Sequence, residues 1–383
     1  MDILYITPEP PSEYSGGGIA VKQSILSLYK FANIHYIGPE SKDFNIRKYT
    51  DKIDYLYQNN SYIKKMKNLL KGVTSSYYES WKKKKQNIKW NDYDYVFLEF
   101  SKFNFVVKEV KKHKINIILR LHNVEYMYRK NILKNKKSFY NIINLIFTKY
   151  KERYIIRNSD YIIMLTKKDK KDLKKIYGYN ILNNKVFICP ISIERPYKIN
   201  KNNKKSDKMD LLITGSLWYE PNVFGIKWFL KEVWGELNKD KYELFLAGSR
   251  PSYGLKKVVN KYNNVNLVAN PNSMKPFFER ADLYISPIFE GSGMKVKIAE
   301  ALSFGLPIVG TSHSFIGYDK RKNENLFIAN SQSEFIEKIK YYNNLNLTKK
   351  EKIKKNIKKK FDNNYSIASS QRLYKMFFEK FDL

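Results

Sequence analysis

The sequence predicts an α/β protein built from two doubly wound, parallel-sheet domains, and three observations carry that expectation. Short apolar runs alternate with helical stretches along the whole chain. The runs at 2–7 and 283–288 are apolar at nearly every position rather than every second one, as strands buried on both faces require. The alternation pauses over 195–209 (RPYKINKNNKKSDKM), polar, basic and without periodicity, and then restarts. A chain of 383 residues fits roughly two domains of about 100–200 residues each. The expected divisions are 1–195, 205–365 and a last helix, 366–383, crossing back onto the first domain.

In chain order, 2–7 (DILYIT) is the first strand. The segment from Pro8 to Ser15 and the glycines Gly16, Gly17 and Gly18 read as a loop before a helix over 19–31. Such a loop lets backbone approach a ligand closely, but it matches neither G-x-G-x-x-G nor a P-loop. Residues 33–37 read as a strand, and 62–86 as a basic amphipathic stretch with Tyr, Leu and Trp among its lysines. That stretch suits an anionic bilayer surface or a solvated helix face. Strands follow at 95–100 and 115–121, the second running into Arg120-Leu121-His122-Asn123-Val124-Glu125. A polar cluster at the carboxyl end of a strand is where open α/β sheets bind ligands. Among the four histidines, His35, His113, His122 and His313, His122 is the best placed for chemistry. A basic helical region over 127–157, a strand at 160–165, a helix to Tyr177 and a strand at 186–190 complete this half.

The second half begins with a strand at 211–214, a turn at Gly215-Ser216 and a helix over 222–234. A strand at 242–247 ends at Gly248-Ser249-Arg250; a strand at 264–268 and a helix at 273–280 follow. The most informative stretch is 282–311. Its strand at 283–288 leads through Gly291 and Gly293 into a helix over 294–304, closed by Gly305 and Pro307. The first turn of that helix is an anion site, because unpaired N–H groups and the positive dipole end face the loop. Lys297 and Glu300, three apart, share one face near that end, a cation for a diphosphate and a carboxylate for a ribose. Elements at 325–329, 331–344, 348–360 and 366–382 close the chain.

Lys and Arg number 71 against 37 Asp and Glu, a formal net charge of +34. That balance favours polyanionic partners, here an anionic membrane surface, although wealth in Lys, Asn, Ile and Tyr is also the pattern of an AT-rich genome. The single cysteine, Cys189, forbids an internal disulfide and fits a reducing compartment. The acidic start is unlike a signal peptide, and no apolar stretch approaches a membrane span of about 20 residues. The expected location is cytoplasmic, peripheral at the inner face of the membrane. There is no H-E-x-x-H, paired cysteine, histidine cluster or G-x-S-x-G elbow, so neither a metal site nor a hydrolase is expected. RNP, KH, zinc-finger and helix-turn-helix signatures are missing, so no nucleic-acid partner is expected.

Residues 212–230 (LITGSLWYEPNVFGIKWFL) and 281–311 resemble the nucleotide-sugar-binding half of the bacterial group 1, or family four, retaining glycosyltransferases. The resemblance implies the GT-B fold, two Rossmann-like domains facing across a cleft, an acceptor-binding domain first and a nucleotide-sugar-binding domain second. It implies a UDP- or GDP-sugar donor used without metal or cofactor. It implies a glycan acceptor, lipid-diphosphate-linked, in surface polysaccharide synthesis. Lys297 matches the residue that binds the donor diphosphate, and Glu300 the second glutamate of E-x7-E, which holds the ribose. Ser292 stands where most members carry the first glutamate, as in the branch with Gly-Ser-Gly, and Glu290 is the nearby carboxylate. Ser216 stands near the position where many members have an arginine, leaving Lys297, Asn222 or Lys227 and the Gly291–Lys295 backbone, through Gly293 and Met294, to serve the diphosphate. Gly215 belongs to the same donor site, and Gly248 and Arg250 fall near the nucleobase. The Gly16–Gly18 loop matches the one that approaches the donor phosphates, and His122 touches donor sugar or acceptor. Asp92-Tyr93-Asp94 resembles the D-x-D metal signature of the other glycosyltransferase fold, but it leads straight into a strand and reads as a turn. The alternatives are a nucleotide-sugar epimerase on this fold or a non-catalytic nucleic-acid- or glycan-binding relative.

Overall fold

The computed structural model describes residues 1–13, 15–58, 61, 75–135, 137–182, 185–196, 207–319 and 326–383. Residues 62–74 of the basic amphipathic stretch and 197–206 of the linker lie outside the described residues. The chain divides into two compact units, residues 1–191 with 367–383, and 192–366.

In the first unit the order is β1 (Asp2–Ile6), α1 (Gly16–Leu28), β2 (Asn33–Gly38), β3 (Lys52–Tyr55), α2 (Tyr78–Lys84) and β4 (Tyr95–Glu99). Then come α3 (Asn104–Lys112), β5 (Asn116–Leu121), α4 (Glu125–Asn135), α5 (Phe139–Asn158), β6 (Tyr161–Met164), α6 (Lys167–Tyr177) and β7 (Val186–Ile188). The strands form one sheet, β3-β2-β1-β4-β5-β6-β7, parallel at every pairing. Because both faces are covered, Ile3, Leu4, Tyr5 and Ile6 are all fully buried, which is why β1 has no polar alternation. The single helical region expected over 127–157 is two helices, because the Ser138 hydroxyl accepts from the Asn141 N–H and caps a new one.

The second unit runs β8 (Met209–Ser216), α7 (Glu220–Trp228), β9 (Tyr242–Ser249), α8 (Tyr253–Val259), β10 (Val265–Ala269), α9 (Lys275–Arg280) and β11 (Leu283–Ser286). It continues with α10 (Val296–Ser303), β12 (Ile308–Gly310), β13 (Leu326–Ile328), α11 (Gln332–Asn343) and α12 (Leu347–Asn364). Its parallel sheet has the order β10-β9-β8-β11-β12-β13. The helix expected over 222–234 is α-helical only to Trp228; a π-helical turn, Phe229–Val233, follows, with Phe229, Leu230 and Val233 buried. Gly215 and Ser216, expected as a turn, are the last two residues of β8, paired with Gly248 and Ser249 of β9.

The last helix, α13 (Ile367–Phe381), returns to the first unit and packs on α1. Tyr374, Phe377 and Phe378 join Ile3, Tyr5, Val21 and Ile25 in one apolar cluster. Polar groups are matched there as well: Gln23 Nε2 donates to Ser370 Oγ (3.0 Å) and Ser27 Oγ donates to Ser370 Oγ (2.8 Å).

Candidate active site

In the second unit the strand order reverses between β8 and β11: β9 and β10 extend one way from the centre, β12 and β13 the other. The carboxyl ends of strands at such a reversal are where doubly wound sheets bind ligands. Two backbone features meet there, the Gly215-Ser216 end of β8 and the loop from Pro287 to Lys295 that feeds α10.

Lys297, from the first turn of α10, reaches back to β8. Its Nζ donates to Asn222 Oδ1 (2.9 Å) and to the Thr214 carbonyl (3.3 Å). Asn222, from the start of α7, is fixed by donating its Nδ2 to the Ser216 carbonyl (3.0 Å). A side chain at Gly215 would put its Cβ 3.1 Å from both Asn222 Nδ2 and Lys297 Nζ, so glycine is what lets the lysine lie against the strand. An ammonium has three N–H donors; two are committed, and the third has no partner among the described residues. Burial lowers the Lys297 pKa to about 7, with Lys295 adding to the shift. Burial raises the Glu300 carboxyl to about 7 against the pull of Lys297. No side chain or backbone N–H among the described residues donates to that carboxylate.

The loop is shaped by two glycines and by two side-chain donors, Lys295 and His313. Gly291 (φ 106°) and Gly293 (φ 73°) adopt left-handed backbone that only glycine tolerates cheaply. The Lys295 Nζ donates to the carbonyls of Gly291 (3.4 Å), Ser292 (3.2 Å) and Gly293 (3.0 Å). His313 Nε2 donates to the Gly291 carbonyl as well (2.7 Å). The carbonyls of Gly291, Ser292 and Gly293 are thus held, whereas the N–H groups of Gly291, Ser292, Gly293, Val296 and Lys297 have no partner among the described residues. Unpaired amides in a glycine turn at a helix start form an anion-binding concavity. Ser292 is half-buried, Met294 buried and Glu290 exposed.

Gly248 pairs with Gly215, and a Cβ there would stand 1.8 Å from the Gly215 carbonyl. Beyond it, Asn270 donates its N–H to the Gly248 carbonyl (2.8 Å) and accepts from the Arg250 N–H (2.8 Å). The Arg250 guanidinium lies over the exposed Trp218 ring, 4.8 Å from its centre. Lys227 instead lies toward Gly254 of α8.

In the first unit the order reverses between β1 and β4. Gly16, Gly17 and Gly18 are not the loop expected there. They form the first turn of α1, because the Ser15 hydroxyl accepts from the Gly18 N–H (3.0 Å) and caps the helix. After β4, Phe100 (φ 65°) stacks on the His122 ring with centroids 3.9 Å apart. Lys102 pairs with Glu9 (3.1 Å) and lies over Phe100. His122 is hydrogen-bonded through Nε2 to the wholly buried Glu99 carboxylate. Glu9, Glu99, Phe100, Lys102 and His313 escape a motif-based reading. The one available signal is a charge inside an apolar run, Glu99 in YVFLE and Arg120 in NIILRL. Asp94, of the D-x-D lookalike, accepts the Asp2 N–H (2.8 Å) and ties the start of β4 to β1.

Residues 208–343 match the family model described as glycosyl transferases group 1. An uncharacterized 44.6 kDa protein in the cps region of Klebsiella pneumoniae is 26% identical over 261 residues; the match spans 64% of this chain and 64% of that relative. Among solved structures, WaaG, a glycosyltransferase involved in lipopolysaccharide biosynthesis, superposes with a TM-score of 0.67 at 16% identity, over 98% of this chain and 99% of its own. HepE from Anabaena, in complex with UDP and glucose, gives 0.66 at 11% identity, over 99% of this chain and 100% of its own. At these identities the structural likeness is one of fold.

Proposed function

We propose that this protein of the GT-B fold is a group 1 glycosyltransferase that moves a sugar, with retention, from a UDP- or GDP-linked donor to a glycan acceptor of bacterial surface polysaccharide synthesis. The carrying observation is Lys297, pinned against the end of β8 with one N–H uncommitted among the described residues, beside amides that have no partner among them either. Glycosyl transfer develops negative charge on the departing diphosphate, and fixed donors aimed at that charge lower the barrier. The amides of Gly291, Ser292, Gly293 and Val296, with the Lys297 ammonium, would take the diphosphate. Glu300, whose carboxylate accepts from nothing else described, would hold the ribose hydroxyls. Gly215, Ser216 and Asn222 shape the Lys297 pocket, and Gly248 and Arg250 flank the nucleobase. Ser292 and Glu290 are the groups of this unit assigned to the donor sugar. In the first unit, His122 is assigned to a sugar hydroxyl.

The UDP and glucose of the Anabaena relative support a nucleotide-sugar donor. The cps-region relative and WaaG support a surface-polysaccharide setting. A lipid-diphosphate-linked acceptor would bring the protein to an anionic membrane, and the solvent face of α5 is suited to one. Phe139, Ile142, Ile146, Tyr150 and Tyr154 are exposed along it, interleaved with exposed Lys149, Arg153 and Arg157. The single acid of α5, Glu152, is buried on the opposite face. An apolar stripe edged by cations is the pattern of an interfacial helix. No described helix is long and apolar enough to cross a membrane.

A thermal-shift panel of nucleotide sugars identifies the donor, because a ligand bound to the native state raises the midpoint by mass action. With that donor, Lys297→Ala is expected to reduce turnover by about 100-fold or more, the usual effect of deleting one charge-stabilising donor. Its unfolding midpoint should not fall, since the change removes a desolvated amine. Turnover within threefold of the parent would remove Lys297 from the site.

A further inference from the structure

We infer that Glu99 is a positioning residue that locks His122 in the Nε2–H tautomer, so that Nδ1 is presented as a hydrogen-bond acceptor to a substrate hydroxyl. The inference deepens the assignment of His122 to a sugar hydroxyl and rests on that reading.

Glu99 is 0% exposed and ends β4 at the reversal of the first sheet. Its Oε1 already accepts two hydrogen bonds, from Tyr5 OH (2.7 Å) and from Ser24 Oγ. Ser24 in turn accepts from Arg120 Nη1, which can only donate, at 2.5 Å. Arg120 also stands 3.6 Å from Oε1, donates to the Ala20 carbonyl (2.7 Å) and to Gln23 Oε1 (2.9 Å), and is itself buried. The carboxylate is held ionised despite burial by the always-charged Arg120 guanidinium and by three donors, from His122, Ser24 and Tyr5, and its pKa lies below the usual range. The remaining oxygen, Oε2, meets His122 Nε2.

An ionised carboxylate only accepts, so Nε2 must carry the hydrogen. Burial, together with Arg120 and Lys102, lowers the His122 pKa, so the ring is neutral and Nδ1 keeps its lone pair. Nδ1 has no hydrogen-bond partner among the described residues, and the buried His122 keeps an exposed fraction of 8%. Phe100 stacks on one face of the ring, and Gly17 faces Phe100: a Cβ there would lie 3.5 Å from Phe100 Cζ. The ring has a fixed plane and a fixed tautomer, and one open acceptor at the carboxyl edge of the sheet.

Nitrogen-15 NMR of the imidazoles tests this without substrate, because two-bond couplings to ring protons report which nitrogen carries hydrogen. The chain has four histidines, and His122→Ala assigns the relevant signal. The native protein should show Nε2–H with an unprotonated Nδ1; the opposite tautomer, or an imidazolium at pH 7, would overturn the inference. Glu99→Gln should invert the tautomer. With the carboxamide oxygen kept on Tyr5 and Ser24, its NH₂ faces Nε2, which then becomes the acceptor. In that variant turnover should drop about 100-fold, the scale of a misplaced proton-transfer or hydroxyl-orienting group, while the donor KM stays within threefold. A role in packing alone would leave the tautomer unchanged and is thereby separated. An inverted tautomer with native turnover would also refute the positioning role. Absence of any transfer by the native protein would sink the glycosyltransferase reading and not the tautomer.

Discussion

At the scale of the residue, the proposed donor contacts of Lys297 and Glu300 would make donor binding depend on pH in opposite senses. Lys297 has a pKa of about 7, and a bound diphosphate raises it, so affinity is full below pH 7 and falls as pH rises above it. Glu300 has a pKa of about 7, and accepting two ribose hydroxyls favours its ionised form, so affinity falls as pH drops below 7. Affinity for a nucleotide sugar should therefore pass through a maximum near pH 7. Calorimetry should use the intact nucleotide sugar, because a free diphosphate carries its own titration near pH 6. Glu300→Gln should abolish the acidic limb and keep the alkaline one; a flat profile in the native protein would show that neither group meets the donor. The placement of Lys297 and Glu300 beside a glycine turn was legible from their spacing, and their role with the donor is the proposal. Glu99 was not, because a charge in an apolar strand has no periodic signature until its buried partners are seen.

At the scale of the element, α7 is held to the sheet by contact of backbone with backbone. A Cβ on Gly225 would stand 1.8 Å from the Pro287 carbonyl just beyond β11. Gly225→Ala is expected to destabilise the protein by about 2 kcal/mol or more, the cost of overpacking an unyielding site. It should also weaken donor binding, because α7 carries Asn222, the partner of Lys297. Gly254 in α8 is the contrasting case, its nearest neighbour being the flexible end of Lys227 at 3.6 Å. Gly254→Ala should stabilise by about 0.5–1 kcal/mol through helix propensity. Denaturant midpoints of the two variants check both signs; equal shifts in one direction would show that α7 has room to move. The strands and most helices were readable from apolar runs. The first turn of α1 was not, since three glycines argue for a loop, and one capping hydroxyl on Ser15 decides otherwise.

At the scale of the whole molecule, the net charge of +34 acquires a direction on α5, where the cations edge an apolar stripe. Co-sedimentation should show retention on vesicles containing phosphatidylglycerol and little on pure phosphatidylcholine, with retention falling as salt is raised. Ile142→Ser with Ile146→Ser should reduce partitioning about tenfold, and Lys149→Glu with Arg153→Glu should erase the preference for anionic lipid. Equal binding of the native protein and both variants would assign the charge to general solubility. The sequence pointed to 62–86 for this role, because lysine density is easy to see there. The α5 stripe was hidden, since that helix is apolar on its buried side as well, and only the fold tells the two sides apart.

The return of α13 to the first unit has a consequence for the order of synthesis. The second unit, 192–366, is one continuous segment, and its sheet is complete once that segment has left the ribosome. The first unit is begun earlier and finished later: Gln23, Ser24 and Ser27 wait for Ser370 and Tyr374, and the cluster around Tyr5 waits for Phe377 and Phe378. The half that starts the chain is the one whose last element is synthesised last.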